Sequence, residues 1–104
     1  MLLNGLIGCS SGHPLIKKCI DAIDLEKVRK QNNVISTTGP RLVTNVLLSY
    51  VKNLSNLSDE KILVFPAKYF YPISNSQKQK DQYLDYVVNE TYAVHFWSMS
   101  WKKK

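Results

Sequence analysis

The stretch TTGPRLVTNVLLSYVKNL, Thr37–Leu54, carries the most regular pattern in the chain. Val43, Val46, Leu47, Tyr50, Val51 and Leu54 recur at intervals of three and four, the spacing that places apolar side chains on one face of an α-helix. Thr38 followed by Gly39-Pro40 supplies an expected cap and first turn, because proline at the first helical position sacrifices an N–H that has no partner there anyway. A helix over about 40–54 is predicted.

Upstream of this helix, the run VIS after the polar QNN is β-branched and short. Further back, Ile16, Cys19, Ile20, Ile23 and Val28 keep helical spacing while Lys17, Lys18, Asp21 and Arg29 fall on the other side, which predicts one amphipathic helix over roughly 13–30. Leu2–Cys9 is an apolar run ended by Ser10, Ser11 and Gly12, the pattern of a buried strand and a turn. Downstream, KILVF is predicted as a strand stopped by Pro66, and AKYFYPI as a second extended piece ended by Pro72. The polar SNSQKQKDQ, residues 74–82, is expected to form a surface loop. In the final apolar stretch Tyr92, Val94 and Phe96 alternate with Ala93, His95 and Trp97, the period of a strand. Two helices and several short strands make an α/β layer with at least one apolar face lacking an obvious cover, so residues 1–104 read as a single, partial domain.

Composition limits the functions available. A chain of 104 residues with 44% hydrophobic content supports one core, burying about two thirds of its unfolded surface. Lysine and arginine number 14 against 8 acidic residues, and the formal charge of +6 favours anionic partners. Three of those charges are the terminal Lys102, Lys103 and Lys104, expected as a solvated tail. Cys9 and Cys19 form no CxxC pair, which argues against a zinc site or a disulfide framework. No apolar run approaches the roughly 20 residues that a membrane-spanning helix needs. The opening segment carries no basic leader. GxSxG, P-loop and HExxH motifs are absent from the sequence, and Asp21, Asp24, Asp59 and Glu60 read as solvated surface.

Three places combine polar groups with special backbone. Thr37-Thr38-Gly39-Pro40 precedes a helix, where unpaired N–H groups suit a phosphate or a sugar hydroxyl, or simply a cap. Asn4 interrupts an apolar run, where its amide reaches a ligand or satisfies a turn. His95 shares a strand face with Trp97, close in sequence to Ser98, Ser100 and Trp101, and is either a metal-binding imidazole or a core residue.

Read in order, N-x(4)-CSSGHPLIKKCI, TTGPRLVT, KYFYP and YAVHFWSMSW resemble the carboxyl-terminal half of the family 32 glycosyltransferases. That group includes yeast initiating mannosyltransferases and bacterial and viral capsule or lipopolysaccharide sugar transferases, with the clostridial glucosylating toxins as more distant relatives. The resemblance implies the C-terminal half of a GT-A (Rossmann-like) fold, and transfer of a sugar from a nucleotide-sugar donor to a glycan hydroxyl with retention at the anomeric carbon. It implies Asn4 beside the donor sugar, Thr38, Gly39 and Pro40 lining the sugar pocket, and Ser100 and Trp101 on a segment closing over the donor. It makes His95 a ligand of the Mn²⁺ or Mg²⁺ that bridges the donor diphosphate. The sequence departs from the family pattern in having no Asp-x-Asp, the motif whose carboxylates hold that ion. The expectation is therefore a portion of a longer enzyme, inactive alone, acting in cell-surface or capsular glycan synthesis. If bacterial, it is expected in the cytoplasm or peripheral to a membrane, self-associating through exposed apolar surface. The alternative is a noncatalytic basic module, with Tyr69, Phe70, Tyr71 and Trp101 stacking on an anionic polymer such as nucleic acid; with the transferase reading no nucleic acid partner is expected.

Overall fold

The structure, a computed structural model, describes residues 1–54, 61–74 and 80–97. The chain divides into two compact units, Met1–Glu60 and Lys61–Lys104.

The first unit is helical: α1 (Pro14–Asp21), α2 (Leu25–Lys30), α3 (Val34–Thr37) and α4 (Pro40–Lys52). The predicted long helix is present as α4, with Leu47 and Tyr50 buried and Pro40 in its first turn. Its cap is Gly39, whereas Thr38 closes α3 and sends its hydroxyl back toward the Val34 carbonyl at 3.5 Å. The single helix expected over residues 13–30 is broken in two. Asp24 interrupts it, because its carboxylate accepts from the N–H groups of Glu26 (3.0 Å) and Lys27 (3.2 Å) and starts a new helix instead of continuing the old one. The VIS run is helical too. Asn33 caps it through Ser36 N–H (3.3 Å) and its carbonyl takes the Thr37 hydroxyl (2.8 Å), a local bonding pattern that outweighs the β-preference of valine and isoleucine.

Both α1 and α3 pack against α4. His13 caps α1, accepting from Leu15 N–H at 3.2 Å, and its ring lies 6.4 Å from that of Tyr50. Residues 2–9 belong to no helix or strand and bend at Gly5-Leu6. Their anchor is Leu2, whose N–H donates to Thr44 Oγ1 at 2.9 Å while that hydroxyl donates to the Pro40 carbonyl at 2.7 Å.

In the second unit, residues 61–66 belong to no regular element, and a 3₁₀ turn, Ala67–Tyr69, begins after Pro66. A second 3₁₀ segment, Lys80–Tyr86, is kinked at Gln82. It starts within the expected 74–82 loop, of which residues 75–79 lie outside the described residues. Tyr92 N–H donates to the Tyr69 carbonyl at 2.8 Å, and Trp97 Nε1 donates to the Ile73 carbonyl at 2.7 Å, so 92–97 is tied to 69–73 at both ends. Ile73, 4% exposed, is the buried hydrophobic residue of this unit among those described. No described residue lies in a β-strand, so the stretches predicted as strands over 2–9, 61–65 and 92–97 form none. Among the described residues, no helix is long and apolar enough to cross a membrane.

Candidate functional site

Thr37, Thr38, Gly39 and Pro40 form the junction between α3 and α4. The two helices meet so closely that a Cβ on Gly39 would lie 2.7 Å from the Val34 carbonyl oxygen and 3.0 Å from Ile35 Cα. Both atoms are backbone and have no rotamer by which to retreat. Glycine is required here for close approach, since its φ of −100° is accessible to any residue. Thr37 is buried, Thr38 is exposed, and no side chain caps the start of α4. The first-turn N–H groups thus keep donor capacity beside the Thr38 hydroxyl.

Asn4 belongs to the same unit. It is exposed just before the Gly5-Leu6 bend, and its amide makes no hydrogen bond among the described residues. A cleft of about 540 Å³ lies between α1 and α4, lined by Lys18, Asn45, Ser49, Tyr50 and Asn53 among others, and includes neither Asn4 nor the Thr38–Pro40 turn.

His95 lies in the second unit. Its ring stands edge-on to Trp97, with centroids 4.8 Å apart at 82°, and 5.3 Å from Tyr71. Trp97 is held by its bond to the Ile73 carbonyl, so the indole fixes one side of the imidazole while the residue remains exposed. The alternation read from the sequence holds at this end: His95 and Trp97 share Tyr71, and Phe96 turns to Tyr83 at 5.5 Å. Ser100 and Trp101, the expected closing segment, lie outside the described residues.

Sequence reasoning placed Tyr71 only in the alternative module, as one of the rings stacking on an anionic polymer. Its hydroxyl is buried and has no hydrogen-bond partner among the described residues, which is a costly state for a polar atom. The YFYP run signalled aromatic packing but not which ring would point inward. The same run places Tyr69 and Phe70 against Phe65 and Tyr92. Beside them Lys68 Nζ and Glu90 Oε1 pair at 2.7 Å. That hydrogen bond and charge hold the Glu90 carboxyl below the usual carboxylate range and the Lys68 ammonium above the usual lysine value. Burial raises the Cys19 thiol, whereas Cys9 is exposed; both are free.

The described residues do not by themselves fit a divalent ion. No group of three or more His, Cys, Asp or Glu among them could hold a metal, and the neighbours of His95 are two aromatic rings.

Comparison with known proteins found no match among curated proteins and none among solved structures. A protein family does match, and its region covers the α3–α4 junction, the YFYP run and the His95 segment alike. Members transfer sugars, which implies a sugar donor and an acceptor as substrates. Residues 8–104 match the alpha 1,4-glycosyltransferase conserved region, and the chain belongs to that glycosyltransferase family.

Proposed function

We propose that this chain is the C-terminal portion of a retaining, metal-dependent glycosyltransferase domain of GT-A type, related to family 32. In this reading it moves a sugar from a nucleotide-sugar donor to a hydroxyl of a cell-surface or capsular glycan, in the cytoplasm or at a membrane periphery if bacterial. The observation that carries the reading is the family match over residues 8–104. The anomeric carbon exchanges its bond to a diphosphate oxygen for one to the acceptor oxygen, and the acceptor hydroxyl gives its proton to the departing diphosphate. Charge accumulates on the departing diphosphate, so donors directed at it lower the barrier.

Three features support roles for the expected residues. The uncapped start of α4 at Gly39-Pro40, beside the exposed Thr38, offers donors to a phosphate or a sugar hydroxyl. Asn4 has an amide available to the donor sugar. His95 is exposed and oriented by Trp97 and Tyr71, which suits a single imidazole ligand to Mn²⁺ or Mg²⁺. The carboxylates would come from an Asp-x-Asp on other polypeptide, and Ser100 and Trp101 would close over the donor. A bound divalent ion would supply neutralisation of the diphosphate charge. The basic-module alternative has less behind it, because Lys27, Arg29 and Lys30 sit 3.9, 3.6 and 3.5 Å from the carboxylates of Asp24 and Glu26.

The test is turnover by this chain joined to an Asp-x-Asp-bearing nucleotide-binding half. Transfer should require Mn²⁺ or Mg²⁺, and His95→Ala should lower it by roughly a hundredfold. Full activity of His95→Ala would remove His95 from the metal site. Absence of transfer from every nucleotide sugar tried would overturn the reading.

A further inference from the structure

The cleft between α1 and α4 contains no residue given a role in sugar transfer. It encloses about 540 Å³, within the size range of ligand sites. Asn45, Ser49 and Asn53 line it at every fourth position of α4 and its cap, so the three side chains follow one another along a single helix face, about 6 Å apart. All three are exposed. From α1 comes Lys18, also exposed, while Tyr50, 8% exposed, and half-buried Val46 supply apolar lining.

The polar row keeps hydrogen-bonding capacity that the fold does not consume. The Asn45 amide makes no hydrogen bond among the described residues. Asn53 Nδ2 donates to the Ser49 carbonyl at 2.8 Å, which steadies that amide and leaves its oxygen to accept. Lys18 enters no ion pair among the described residues, whereas its neighbour Lys17 is bound to Asp21, and no acidic residue lines the cleft.

Spacing and charge together identify the occupant. An extended polypeptide repeats every two residues, a distance of about 6.6 Å, and presents a carbonyl and an N–H in each repeat. Side chains that both donate and accept, set along a helix at nearly that interval, suit a peptide backbone. One unpaired ammonium asks for one carboxylate, not the dense charge of nucleic acid. We propose that this cleft holds an extended peptide segment of a partner protein, about four residues long, with one acidic side chain on Lys18 and its main chain bonded to Asn45, Ser49 and Asn53. The site owes nothing to the transferase reading and stands or falls separately.

An amide-resolved NMR titration of the full chain with the peptide acetyl-Ala-Ser-Glu-Ser-Ala-amide tests it. Shifts should gather on Lys18 and on residues 45–53. Lys18→Met should weaken binding roughly tenfold, as should exchanging the peptide's glutamate for glutamine. Asn45→Ala should weaken it roughly fivefold. Both positions are exposed, so neither change disturbs packing. Lys17→Met removes the same charge one residue away but outside the cleft, and should stay within about twofold. No binding, shifts scattered away from the cleft, or equal losses in the Lys17 and Lys18 variants would overturn the proposal. So would acetate or inorganic phosphate binding as tightly as the peptide, which would make the cleft a site for small anions.

Discussion

Gly39 shows how one missing atom can set a helix junction. With a Cβ 2.7 Å from the Val34 oxygen, Gly39→Ala forces α3 and α4 apart, and a loss of about 1–3 kcal/mol in unfolding free energy is expected from urea titration. An unchanged midpoint would mean that the junction relaxes at no cost. Gly12 is needed for a different reason: its φ is +74° and nothing stands near its Cβ position. The Lys68–Glu90 pair gives a pH prediction whose sign follows from its two shifts. Glu90 is depressed in the folded state, so its contribution is complete above the ordinary glutamate value of about 4.3 and disappears as pH falls through the lowered folded value. Lys68 is raised, so its contribution holds below about 10.4 and disappears as pH climbs through the raised value. Between these limits the pair is intact, and its exposure keeps the effect on stability small. NMR titration should find Glu90 below the ordinary range, and Lys68→Met should return it there; an unmoved Glu90 would show that the pair does not form in solution.

Among the elements, local caps decide where helices begin, and in two places they overrule the pattern of apolar residues. Asp24→Ala removes the acceptor for two N–H groups and should cost about 1 kcal/mol, read from thermal or urea unfolding followed at 222 nm. A gain in stability would mean that α1 and α2 prefer to fuse, as their shared apolar spacing suggests. Helix α4 was legible because several turns of period and a Gly-Pro start agree with each other. The α1–α2 break was harder to read, since a three-to-four spacing continues across Asp24 whether or not the backbone does. For VIS, β-propensity pointed one way and Asn33 capping the other, and over four residues the hydrogen bonds of the cap dominate.

At the scale of the molecule, burial is sparse. Leu47, Tyr50 and Ile73 are the buried hydrophobic residues among those described, while Leu6, Ile20, Leu25, Leu48, Leu63 and Val64 are each at least half exposed. Such surface should associate with itself when no other cover is present. Sedimentation velocity between roughly 10 and 100 μM should show a coefficient that rises with concentration, and a constant monomer value would contradict this. The candidate site was legible in part: the TTGP and HFW motifs drew attention to Gly39 and His95 and the KYFYP motif to its aromatic run, but no spacing announced which of those rings would be buried beside His95.

By itself the sequence determined the α4 helix, the Gly-Pro start and the sugar-transferase kinship, because these depend on neighbours in the chain or on the order of short motifs. Tertiary structure alone decided that Gly39 is held by a carbonyl five residues earlier. It likewise decided that Tyr71 turns toward His95 while Tyr69 and Phe70 turn toward Tyr92. Those outcomes depend on which backbones come within van der Waals reach, a distance that no spacing along the chain encodes.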